Sequence, residues 1–462
     1  MFNLIVNSIL FGIFVLILIA IYGNINGENV DCSLVLCDQP IINNPDLKVQ
    51  LIYQGNFTFE PNNLSPVSSM TFLGPNDILL LDKNNGLVYR IVNNSLIDEP
   101  LLDVNVANKK ERGLLGIQVA PSVNNHTYVY LYYTESEKGD GNDSCPTKFY
   151  SVEFHCVPDS EPLGNRLYKY ELEENKLLNP ELLLDLPAAP SPTHNGGVIK
   201  IGPDNNLYFT IGDLLGGTNP PTKTKTQNLN GSNIDGRSGI LRLTQAGKPV
   251  GTGILGDSTP LRLYYAYGIR NSFGIDFDPI TGKLWDTENG PEYGDEINLV
   301  DPGFNSGYER VQGMWQPKVD TSPNGRGLIA GNLFSNMKAL VNFDGKGHYS
   351  TPEFTWNHTV APTAIIFLKS DALGAEYEND IFVGSMSGKL FHFELNENRT
   401  DLKLPESLTD KIAYNNDDNK DLIFADEMGG ITDMDVGPDG YLYILSNYKN
   451  KATIFRVSPI GT

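Results

Sequence analysis

The chain has 462 residues, with 34 Lys and Arg against 56 Asp and Glu and a formal charge of −22 at neutral pH. Nucleic acid and anionic membrane surfaces need clustered cations, so this balance excludes both as partners. Alternation of period 2, 45 Gly, 29 Pro and no long run of helical periodicity after residue 30 place it among all-β chains.

Residues 1–27 carry no charged side chain, and 9–22 (ILFGIFVLILIAIY) are continuously apolar. Such a segment is an export signal or a retained membrane anchor, which puts the remainder outside the cell or at its surface. Residues 28–45 read as a tether. Cys32 with Cys37, and Cys145 with Cys156, lie close in pairs without metal-site spacing, so two local disulfides are expected. Sequons at Asn56, Asn63, Asn93, Asn125, Asn142, Asn230, Asn357 and Asn398 suit a glycosylated exterior.

The segment Lys48–Gln54 alternates like a strand and precedes six repeats, which begin at Met70, Ile117, Val198, Gly274, Ala364 and Asp433. Each repeat runs from an apolar strand through a turn built on Pro, Asp, Asn or Gly into a second strand, as in VIKIGPDNNLYFTIGD and DMDVGPDGYLYILS. This periodicity predicts one domain over 46–462, an all-β, six-bladed β-propeller. Closure would set residues 48–54 beside 453–457 and remove an exposed edge. The uneven connections 135–165, 214–238 and 301–362 are expected to wall a pocket at one end.

Of six histidines, His194 stands apart, because SPTHNGG places it on a tight turn entering the third repeat. Histidine suits a general base near neutral pH, and Asp213, ending the next strand (YFTIGD), is placed to orient it. Arg270 and Asn271 hold the matching position before the fourth repeat, where a guanidinium can hold an oxygen anion. After that repeat, Asn289, Gly290 and Pro291 turn sharply with Asp295 and Glu296 close by, and carbonyls with carboxylates are what Ca²⁺ takes.

RGLLGIQVAP from Arg112, the HNGG turn with IGPDNNLYFTIGD, and GIRNSFGIDFDP followed by TENGPEYGDEINLV resemble the soluble quinoprotein glucose/sorbosone dehydrogenases over roughly residues 46–458. The resemblance implies a six-bladed propeller that binds pyrroloquinoline quinone (PQQ) above its central channel, and an aldose whose C1 hydroxyl proton passes to a histidine as hydride goes to the quinone. An external acceptor would then take the electrons. By position it makes His194 the base, Asp213 its orienter and Arg270 the stabiliser of charge, with Asn271, Asn289, Trp356, Thr359 and Lys389 on the cofactor. It assigns the carbonyls of Gly290 and Pro291 to the Ca²⁺ beside the quinone, and Glu296 with the backbone near Ser306 to a second, structural Ca²⁺.

Two departures bear on the cofactor. Lys389 in GSMSGKLFHF comes two places later than the family's lysine, and Gly430 and Thr432 occupy the places of two arginines that grip the cofactor's carboxylates. A second reading is therefore a carbohydrate- or protein-binding propeller that has lost tight PQQ binding. A third, a Ca²⁺-dependent lactonase-like hydrolase, needs several carboxylates and asparagines converging on one ion, which this spacing does not offer.

Overall fold

The computed structural model describes residues 39–57, 65–122, 126–136, 147–149, 152–154, 162–214, 223–229, 231, 234–321 and 328–461. Residues 1–27, all four cysteines, His155 and the sequons at Asn63, Asn125, Asn142 and Asn230 lie outside them. Ile41–Thr462 forms one unit, separate from Met1–Pro40. Among the described residues no helix is long and apolar enough to cross a membrane.

The fold is an all-β propeller, and each repeat lies in its own sheet of four to six strands. The innermost strands are Val67–Gly74, Leu114–Val119, Ile199–Ile201, Ser272–Phe277, Pro362–Phe367 and Gly430–Val436. Each touches the next in that order, and the last touches the first. Leu47–Gly55 pairs antiparallel with Lys451–Pro459, with Val49 opposite Val457, so the two ends of the domain close one sheet as the alternation predicted. Ile41–Ile42, within the stretch read as tether, adds a short outer strand by pairing Ile41 with Asp426.

The repeated turn has one physical cause. In the third repeat Asp204 accepts from the Asn206 N–H at 3.2 Å and the Tyr208 hydroxyl at 3.0 Å. Asp439 of the sixth repeat accepts from the Tyr441 N–H at 3.3 Å and the Tyr443 hydroxyl at 2.9 Å. The aspartate satisfies the turn's free donor and anchors the aromatic of the outgoing strand. The glycine before each Pro is obligatory for space, since a Cβ at Gly202 or Gly437 would lie 2.6 or 2.5 Å from that tyrosine ring.

Apolar cores fill the spaces where neighbouring sheets pack. One holds Trp285, Phe354, Trp356, Phe391 and Phe393. Edge-to-face and tilted contacts at 4.8 to 6.3 Å between ring centroids join Trp356 to three of these phenylalanines. Burial of this kind on both faces leaves the inner ends of the sheets free to carry polar groups.

Candidate active site

A cavity of about 710 Å³ opens where the inner strands converge. Its lining includes His194, Arg270, Asn271, Asn289, Gly290 and Thr359. Of the three connections expected to wall it, only 301–362 contributes described lining residues, Thr359 and Ala361. The inner strands themselves supply most of the wall.

His194 is bent into the left-handed region, φ +63°, and Gly196 follows at +65°. Glycine is required at 196, because a Cβ there would lie 2.4 Å from the Thr210 carbonyl. Asn195 fixes the turn from below. Its side-chain nitrogen donates to the Pro192 carbonyl at 3.0 Å, and its oxygen accepts from Asn165 at 3.1 Å. The imidazole thereby reaches Asp213, with 2.5 Å between Nδ1 and Oδ1, both residues being buried. Burial, and then the charge of Asp213, hold the pKa of the buried Tyr308 hydroxyl well above the usual phenol range.

The third and fourth sheets are stitched together at this point. The Asp213 N–H donates to the Arg270 carbonyl at 2.8 Å, and the Arg270 N–H donates to Glu288 Oε1 at 2.7 Å. Arg270 Nη1 donates to the Asn289 carbonyl at 2.7 Å, the Asn289 N–H to the Asn271 carbonyl at 2.8 Å, and Asn289 Nδ2 to the Pro362 carbonyl at 2.5 Å. His194, Asp213, Arg270, Asn271 and Asn289 thus sit on one continuous network.

Gly290 and Pro291 line the cavity, while Asp295 is occupied internally. It accepts from the Gly290 N–H at 2.8 Å, the Thr359 hydroxyl at 2.7 Å, and the N–H groups of Val360 and Ala361. Glu296 and Ser306 are not in the cavity lining. Ser306 Oγ donates to Glu288 at 2.6 Å and to Glu296 at 3.2 Å in a buried carboxylate cluster, where burial, and next the neighbouring carboxylate, raise the pKa of Glu296.

Two expected cofactor contacts are not brought to the cavity. Trp356 lies fully buried in the aromatic core, because its strand turns that side chain toward Phe391 and Phe393. Lys389 folds back through a turn and pairs with Asp426 at 2.6 Å, leaving Met386 and Thr432 to line that side. Deeper in, burial lowers the pKa of Lys200, but the charges of Asp276, Asp435 and Asp433 outweigh it and hold Lys200 above its ordinary value. Around Lys200 the lining carries more carboxylates than cations, which disfavours an anionic ligand beside it.

The sequence reading passed over Glu111, whose Oε2 accepts from the His194 N–H at 2.6 Å and Asn271 Nδ2 at 3.2 Å. Its only local signal was its place directly before RGLLG.

The family model for Glucose / Sorbosone dehydrogenase matches residues 64–456. Quinoprotein glucose dehydrogenase B of Acinetobacter calcoaceticus is 29% identical over 386 residues, covering 72% of this chain and 76% of that protein. Aldose sugar dehydrogenase YliI of Escherichia coli (strain K12) is 25% identical over 276 residues, covering 59% and 62%. The PQQ-bound form of an aldose sugar dehydrogenase from Streptomyces coelicolor superposes with a TM-score of 0.57 at 18% identity, over 91% of this chain and 100% of that one. A family match spanning nearly the whole propeller, on a fold with the same arrangement, means that this chain belongs to the glucose/sorbosone dehydrogenase family.

Proposed function

We propose that the protein is an exported, six-bladed sugar dehydrogenase dependent on PQQ and Ca²⁺, which oxidises the C1 hydroxyl of an aldose to a lactone and passes the electrons to an external acceptor. The observation that carries this reading is the His194–Asp213 pair at 2.5 Å on the wall of the cavity, on the same network as Arg270. Six sheets whose inner strands meet in a ring support the blade count. The apolar, uncharged leader supports export.

The residues present fit the cofactor near the mouth. Lys110 and Arg270 among the lining residues suit an anionic ligand there, and the Gly290 and Pro291 carbonyls are oxygen donors of the kind Ca²⁺ takes. When bound, the quinone would supply the two-electron acceptor that no side chain offers. Asp213 holds the Nδ1 proton of His194 and stabilises the imidazolium, which leaves Nε2 to take a hydroxyl proton. Arg270, held by the Asn289 carbonyl, stabilises negative charge developing on the sugar oxygen.

A binding propeller without turnover is the second reading. It is favoured by Met386 and Thr432 on the side where cations are expected, and by the pairing of Lys389 with Asp426. Titrating the purified protein with PQQ, with and without Ca²⁺, separates the two. Saturable, Ca²⁺-dependent binding supports the dehydrogenase, and an unchanged quinone spectrum at all concentrations rules it out.

A further inference from the structure

We propose that Glu111 is a positioning residue, which holds the base loop and the Asn271 loop in register across the cavity. Its catalytic consequence rests on the dehydrogenase reading, while its structural consequence does not.

Glu111 is rigidly presented. Lys83 Nζ donates to the carbonyls of Lys110 and Arg112, at 3.0 Å each, and so clamps the turn from the first sheet. The Glu111 N–H donates to the Pro192 carbonyl at 3.2 Å, and the Arg112 guanidinium donates to the Ala188 carbonyl. This turn is thereby fastened to the segment that delivers His194.

One carboxylate oxygen then does two things. By accepting the His194 N–H at 2.6 Å, it supports a left-handed backbone that is strained for a non-glycine residue. By accepting from Asn271 Nδ2 at 3.2 Å, it sets the orientation of that amide and leaves Asn271 Oδ1 buried without a hydrogen-bond partner. A carboxylate is an acceptor only, so no other orientation of the Asn271 side chain satisfies it. A charge-assisted bond to each partner offsets the cost of the strained turn and the unpaired oxygen. Glu111 also lines the cavity, which places this tie at the edge of the reacting volume.

The test compares Glu111→Gln and Glu111→Ala by three readouts. In the ligand-free protein, a proton on Nδ1 of His194 in its 2.5 Å bond is expected to give a far-downfield NMR resonance. Glu111→Gln keeps an acceptor oxygen and is expected to retain that resonance; Glu111→Ala is expected to broaden or lose it. With PQQ, Ca²⁺ and saturating aldose, kcat of Glu111→Ala is expected to fall about 10- to 100-fold with KM changed less than about threefold, as for a misplaced base. Glu111→Gln is expected to recover most of the rate. An Ala variant with the resonance unchanged overturns the proposal whether or not quinone binds. A wild-type protein that never takes up quinone sinks the dehydrogenase reading and leaves the resonance to decide the role of Glu111. If Glu111→Ala does not fold, Glu111→Asp takes its place, its shorter side chain withdrawing the carboxylate from both donors, and an Asp variant with the resonance unchanged overturns the proposal.

Discussion

Asp213 joins His194 to Arg270. Its Oδ1 lies 2.5 Å from the imidazole Nδ1, and its backbone N–H is bonded to the Arg270 carbonyl, so one residue holds both the His194 ring and the Arg270 backbone. Asp213→Asn should keep the fold and the backbone bond while presenting an amide to Nδ1. The expected outcome is a fall in kcat of at least about 10²-fold, with thermal stability close to wild type. Steady-state kinetics beside a melting curve check it.

At Gly212 that arrangement has no room for a side chain. A Cβ there would lie 2.5 Å from the His194 carbonyl, 2.6 Å from the Arg270 carbonyl and 2.9 Å from Asn271 Oδ1. Gly212→Ala should therefore push all three apart, destabilising the protein by about 1–3 kcal/mol and lowering activity more than that loss explains. Chemical denaturation and kinetics on the same preparation separate the two effects.

Thr432 lines the cavity on the side where the family resemblance places an arginine. Thr432→Arg should strengthen PQQ binding about tenfold, the worth of one charge-assisted pair, and make that binding more sensitive to salt. Fluorescence titration at two ionic strengths measures both. An unchanged affinity would mean that the ligand does not extend to this wall.

Glu353 offers a pH test away from the site. Its carboxyl accepts the Leu299 N–H at 2.6 Å, and burial pushes its pKa up to about 8. An unfolded glutamate titrates near 4.3, so the folded state binds the proton more tightly. Its stabilising contribution is complete below about pH 4 and is lost as pH rises through about 8, an effect of at most about 5 kcal/mol. Glu353→Gln stays neutral throughout and should flatten the fall in melting temperature between pH 5 and pH 9. A variant with the wild-type slope would contradict this.

Local chemistry decided how much of the molecule was legible beforehand. The turns of the third and sixth repeats show in the sequence because Asp204 and Asp439 bond residues two and four places on. The closing strand was legible because its alternation left it a partner to find. His194 and Asp213 were readable because a glycine-rich turn and the end of the next strand return to the same place. Glu111 was not, since its partners lie 83 and 160 residues away and no local pattern signals such a bond. Trp356 and Lys389 were misplaced because motif spacing does not say which way a side chain faces. Strand register sends the one into the aromatic core, and the fold of a turn sends the other to Asp426.

The most direct measurement follows C1 oxidation itself. Protein reconstituted with PQQ and Ca²⁺ is given an aldose and an artificial electron acceptor, and lactone is quantified for wild type and His194→Ala. Lactone is expected from wild type, and a rate about 10²- to 10⁴-fold lower from the variant, with PQQ still bound. Lactone formed at equal rates by both proteins, or none from a quinone-loaded wild type across a panel of aldoses, would contradict it.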